Sequence, residues 1–147
     1  QARSLAISQR EKQCVVFFAA GGTINFPTLT SAPSVSGARG SIYLYDTNER
    51  AAAPALTQVG QAQELPQFIR FLNPAANFAF IFEPNGSIVQ TVGAGSDVGQ
   101  DPETIDVSSG TPAPTITDIT LDQEDGSLLR CYIDVIRSTG KLSFAVK

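Results

Sequence analysis

Near the end of the chain stands Ser138-Thr139-Gly140-Lys141, a set of residue types that can bind phosphate. A phosphate-binding loop needs a glycine five residues before the Gly-Lys pair, a hydroxyl residue after it, and then a helix. Val135 stands at the first position and Leu142 at the second, and a strand pattern follows. The four residues therefore read as a tight turn between two strands, with Gly140 supplying a positive φ. Asp46-Thr47 suggests an aspartic-protease motif, in which two carboxylates share a proton. Asn48 occupies the place of the small residue that should follow, and no second copy exists. A strand end with an Asx turn is the expectation there.

Carboxylates cluster twice, in residues 122–127 and in residues 95–106. Calcium would draw roughly six to eight oxygens from such a loop. The first cluster breaks the EF-hand order, because Leu121 and Gln123 hold the alternate positions, and it reads as a hairpin turn. The second leaves Asp97, Asp101, Glu103 and Asp106 as calcium candidates. No other metal and no organic cofactor is expected.

The chain has no histidine, which removes the commonest general base and metal ligand. Its two cysteines, Cys14 and Cys131, cannot build a tetrahedral zinc site or a Cys-His nucleophile. They allow one disulfide, which would imply an oxidising compartment, or two buried free thiols. Arg130, Arg137, Lys141 and Lys147 could form a basic strip, with Tyr132 and Phe144 as aromatics able to stack on single-stranded nucleic acid. The plainer reading is a solvated face with both rings packed in the sheet. No catalytic constellation is assembled, and no enzyme is expected.

What must position these residues is one domain. The chain has 147 residues, 42% apolar and only 16% charged, enough to bury a sizeable core. Net charge is −4, which argues against a general attraction to nucleic acid or anionic membrane. The longest apolar run, residues 14–20, falls well short of the ~20 that a membrane helix requires. There is no methionine, so an internal or processed start is expected, with no signal peptide.

Residues 1–13 contain good helix formers, with Ala2, Leu5, Ala6 and Gln9 at three-four spacing and Arg3, Arg10 and Lys12 mostly off that face. They read as the end of a helix that continues upstream. From Cys14 the pattern turns β-branched and aromatic, and a strand is expected. Residues 21–40 read as a long loop, with a short edge strand at 23–26. Residues 41–46 alternate, Ile42 and Leu44 against Tyr43 and Tyr45, and residues 47–65 read as loop with a helical turn. Residues 67–72 form a short strand. The clearest hairpin is 77–83 with 87–92 around Pro84-Asn85-Gly86. Phe78, Phe80 and Phe82 take one face, while Ala79 and Ile81 make the other apolar, so this strand should be covered on both sides. After a second loop, 93–114, come strands at 115–121, 128–136 and 141–146. Cys131, Ile133 and Val135 share a face, as do Leu142, Phe144 and Val146.

The segments "ARSLAISQREKQCVVF", "IYLYD", "IRF", "FIFEPNGSI" and "YIDVIRSTGKLSFAV", in this order, resemble the head of a minor pseudopilin or minor type IV pilin. The nearest likeness is to the H-type pseudopilins of type II secretion together with the FimT and FimU minor pilins. In that group a helix end runs into the first strand, a Phe-x-Pro-x-Gly turn follows, and the chain closes on a Thr-Gly-Lys or Thr-Gly-Arg turn and a last strand. Phe82, Pro84, Gly86, Thr139, Gly140 and Lys141 match those places. Apart from residues 42–46, residues 27–66 match nothing in the group, nor do residues 93–115, and its Gly-Phe-Thr-Leu-x-Glu processing motif and apolar helix are absent from the sequence.

The resemblance implies an α+β fold, with the N-terminal helix (1–13) packed on an antiparallel sheet or pair of sheets in a β-rich head (14–147). It implies a non-catalytic assembly subunit of a secretion pseudopilus or a type IV pilus, near the tip and helping to start assembly. The full-length form would be processed and methylated by a prepilin peptidase and anchored in the inner membrane, its head in the periplasm and its partners the other pilins of the fibre. Loops 27–41 and 93–115 are the expected partner surfaces. The readings from other classes are an exported module binding calcium, sugar or DNA, and a subunit of another surface appendage.

Overall fold

Residues 13–18, Gln-Cys-Val-Val-Phe-Phe, form the strand β1 (Gln13–Phe18) at the centre of the molecule. In the computed structural model, residues 1–27, 29–53, 55–93, 118–127 and 129–146 are described. β1 pairs antiparallel with β4 (Ser41–Asp46) on one side and with β8 (Phe78–Phe82) on the other. β9 (Ile88–Gly93) pairs with β8. Two short strands, β5 (Thr57–Gln58) and β6 (Gln63–Glu64), close the far edge of β4 and complete a six-stranded sheet. A second, four-stranded sheet runs β12 (Lys141–Val146), β11 (Arg130–Ile136), β10 (Ile119–Gln123), β7 (Ile69–Asn73). A separate hairpin joins β2 (Gly22–Asn25) to β3 (Ser34–Gly37).

The period-two pattern explains the layering. From the first sheet Phe17, Phe78, Phe80 and Phe82 face the second sheet's Phe71, Ile119 and Val135 in one core. Phe17 stacks on Phe78 with centroids 4.5 Å apart, and Phe71 meets Phe78 edge-on at 5.7 Å. The alternate residues Cys14, Val16, Phe18, Ala79 and Ile81 form a second core under Ile24 and Phe26 of the β2–β3 segment. All five residues of β8 are buried, as their two-sided apolar pattern requires.

The expected α+β, pilin-like arrangement is corrected by this architecture. Among the described residues the structure is mostly β, 47% strand and 7% helix, in several antiparallel sheets. The helix α1 covers only Ala2–Gln9, eight residues. Arg10 takes a left-handed conformation at φ 53°, which stops the helix, and residues from Gln13 onward find strand partners on both sides. Ala2 and Ala6 are buried, while Gln9 of the expected inward face is exposed. Among the described residues no helix is long and apolar enough to cross a membrane.

The regions read as loop at 27–41 and 47–65 are partly strand. β3 pairs with β2 residue for residue, and Gly37 lies so close to the Phe18 ring that a Cβ there would overlap it. Val35 packs on a core while Ser34 and Ser36 stay exposed, so the expectation of a loop without structure of its own is corrected at residues 34–37. β5 and β6 arise from polar residues without an apolar alternation, and pairing with β4 is what orders them.

At the edge of the second sheet Arg70 holds Asp122, with Nε donating to Oδ1 at 2.8 Å and Nη2 to Oδ2 at 3.2 Å. The hydrogen bond from Arg70 lowers the Asp122 carboxyl below its ordinary value. A folded-state pKa below the unfolded one gives stability that is full above about pH 4 and lost as pH falls through the lowered value. Asp122→Asn should therefore unfold earlier than wild type in urea at pH 7, with the difference closing by pH 2.

Candidate functional site

Three segments distant in sequence meet at one end of the sandwich: α1, the turn between β8 and β9, and the turn between β11 and β12. The first turn follows Pro84-Asn85-Gly86. Asn85 Oδ1 accepts from Ser87 N at 2.9 Å, Gly86 N donates to Glu83 O at 2.8 Å, and Gly86 has φ 87°. The second follows Ser138-Thr139-Gly140, where Gly140 N donates to Ile136 O at 2.7 Å and Gly140 has φ 64°. The phosphate-like sequence is thus a hairpin turn, with strands on both sides.

The two turns touch. A Cβ on Gly140 would overlap the Gly86 carbonyl oxygen and lie 2.9 Å from Phe82 Cε1. A Cβ on Gly86 would lie 3.0 Å from Ile7 Cδ1 and 3.1 Å from Arg3 Nε. Arg3 Nε donates to Thr139 O at 2.6 Å, across 136 residues of sequence. Ile88 N donates to Arg137 O at 2.8 Å, and Arg137 Nε donates to Ile88 O at 3.2 Å. The helix, the first sheet and the second sheet are locked together at this joint. Pro84, Gly86 and Gly140, singled out as turn residues, are brought together here. Arg3 was not foreseen, because helical spacing places it beside the inward face and gives no sign of a partner near the other end of the chain.

A cleft of about 430 Å³ opens beside the joint, between the two sheets. Its walls are apolar, with Val15, Phe17, Leu44, Phe80 and Ile133 among them, and Arg3 and Leu142 stand at it too. Such walls offer dispersion and desolvation, with few groups able to polarise a bond or move a proton.

Of the two readings left open for Cys14 and Cys131, a disulfide or two free thiols, the structure has the second: both thiols are free. Cys14 lies in β1 on the core under β2–β3, and Cys131 lies in β11 of the other sheet. Burial pushes both thiols above their ordinary values, so neither is the thiolate that nucleophilic chemistry needs at neutral pH. The protein's mass should be unchanged by reductant. A maleimide should label Cys131, which is half-buried, well before Cys14, which reacts only on unfolding; equal rates would contradict the burial described.

The calcium candidates Asp97, Asp101, Glu103 and Asp106 lie outside the described residues, as do Lys147 and, Gly93 apart, the expected partner loop 93–115. Among the described residues no group of three or more His, Cys, Asp or Glu side chains could hold a metal ion. The Asp46 turn is as expected, with Asn48 N donating to Asp46 Oδ1 at 2.9 Å. Of the two aromatics beside the basic strip, Tyr132 is buried, as expected. Phe144 is corrected: it is 74% exposed. No family model, no curated protein and no solved structure matches the chain.

Proposed function

We infer that this chain is a non-catalytic assembly subunit, the head of a minor pseudopilin or minor type IV pilin. The observation that carries the reading is the joint. Subunits that assemble through a helix need the head held in one orientation to it, so that neighbouring heads meet in register. Here the helix is fixed to both sheets through Arg3, Gly86 and Gly140, the positions that also carry the sequence resemblance. The support is thus local rather than one of overall shape. The reading places the anchor in the inner membrane, the head in the periplasm and the other subunits of a pseudopilus or pilus as partners, with no nucleic acid and no cofactor.

The test is the mature N-terminus of the protein purified from the membranes of the organism that makes it. The reading expects a methylated residue left by cleavage within a Gly-Phe-Thr-Leu-x-Glu motif, followed by an apolar helix of ~20 residues running into α1. A mature protein without that segment sinks the reading.

A further inference from the structure

The last strand is built to face a core and does not. Leu142, Phe144 and Val146 sit opposite Val135, Ile133 and Cys131 of β11 and so share the face that the second sheet turns toward the first. Yet they are 61%, 74% and 59% exposed. Among the described strands β12 pairs only with β11, and none of them takes the backbone N–H and C=O groups along its outer edge. Two other edges are managed. β4 is closed by β5 and β6, and β7 carries the charged Arg70. β12 has neither device along its middle, and its one described charge is Lys141, which has no acidic partner among the described residues. Leu142 stands at the apolar cleft between the sheets.

An edge of this kind selects its occupant. Backbone groups in a row pair with an extended chain and not with a helix, and the alternating side chains select a strand with apolar residues at every second position. A second copy of this chain fits poorly. The antiparallel register that pairs all three apolar residues, centred on Phe144, sets Lys141 against position 147 of the second copy, which is also lysine. Like charges directly opposite are destabilising.

We propose that the edge of β12 is an addition site for an extended segment of another protein, a segment with apolar side chains at alternate positions and a carboxylate near Lys141. The added strand lengthens the second sheet and covers Phe144, and an apolar residue at its Leu142 end enters the mouth of the cleft. This surface belongs to the head itself and does not rest on the helix-borne reading above.

The probe is a short synthetic peptide of alternating valine and polar residues with glutamate at both ends, binding being read by fluorescence anisotropy and by amide hydrogen exchange. The expected result is saturable binding with slowed exchange at alternate amides of residues 141–146. Phe144→Glu, at a site too exposed to unfold the protein, should weaken binding about tenfold or more. Lys141→Glu should weaken the glutamate-ended peptide and favour a lysine-ended one. Absence of binding, binding without protection of β12, or Phe144→Glu with unchanged affinity overturns the proposal. So does sedimentation showing wild type as a dimer that Phe144→Glu dissociates, since the occupant would then be a second copy.

Discussion

Gly140→Ala is expected to lower the unfolding free energy by about 2–4 kcal/mol, the sum of a strained positive φ and a forced overlap in a packed site. Glycine reaches φ 64° at no steric cost, whereas alanine does not. The larger part of the effect is the neighbour. The added methyl would run into the Gly86 carbonyl oxygen and the Phe82 ring, and the first of these is backbone in a turn of its own. Relief requires the two turns to separate, which also pulls Thr139 O away from Arg3 Nε. Urea unfolding should show the loss, with Ser138→Ala, an exposed position in the same turn, within about 0.5 kcal/mol of wild type. Hydrogen exchange should show α1 opening first in Gly140→Ala. If Gly140→Ala behaves like Ser138→Ala, the turns do not meet as described.

Phe78→Ala should cost about 3–5 kcal/mol, the range for deleting a fully buried aromatic side chain. Phe78 is 0% exposed and lies where the sheets meet, stacked on Phe17 and edge-on to Phe71. Its loss leaves a cavity that neither sheet can fill without sliding against the other, so the site should collapse little. The cost should approach the upper end, with reduced near-ultraviolet dichroism from the aromatic cluster. Phe144→Ala gives the contrast, because a side chain 74% exposed has little burial to lose.

Much of the fold was legible because period two is a strong local signal. The strand at Phe78–Phe82 with its two apolar faces, the Pro84-Asn85-Gly86 hairpin and the Ser138–Gly140 turn all follow from residue types within a few positions. What failed was non-local. The helical spacing of residues 1–13 could not say that the backbone would turn left-handed at Arg10 and that Gln13 would begin a central strand, and the expected α+β fold became a mostly β one. β3, β5 and β6 are polar and short, and what orders them is a neighbour distant in sequence. The last strand shows the limit from the other side. Alternation identified the apolar face of Leu142, Phe144 and Val146 correctly, but a pattern cannot tell whether the opposite layer extends far enough to cover it.

The candidate site was legible in its parts and not in its assembly. Pro84, Gly86 and Gly140 announced turns, because positive φ and fixed φ have chemical signatures. That the two turns press on each other, and that Arg3 bridges to one of them, depends on contacts between segments far apart in sequence, 136 residues in the case of Arg3 and Thr139. The cysteine pair, left open between a bridge and two free thiols, is decided by the same kind of information. An even count permits a bridge, but both thiols are free, with Cys14 on the core under β2–β3 and Cys131 in the other sheet.

The proposed role is that of a structural subunit of a helix-assembled fibre. It is tested most directly by isolating the fibre fraction from the organism that makes the protein, with the gene intact and deleted. The expected result is that the chain is detected by antibody in the intact fibres at a few copies each, and that its deletion sharply reduces fibre number. Gly140→Ala should fall between the two, because it loosens the head from the helix. Fibres that form at full number without the chain, and that never contain it, would contradict the account.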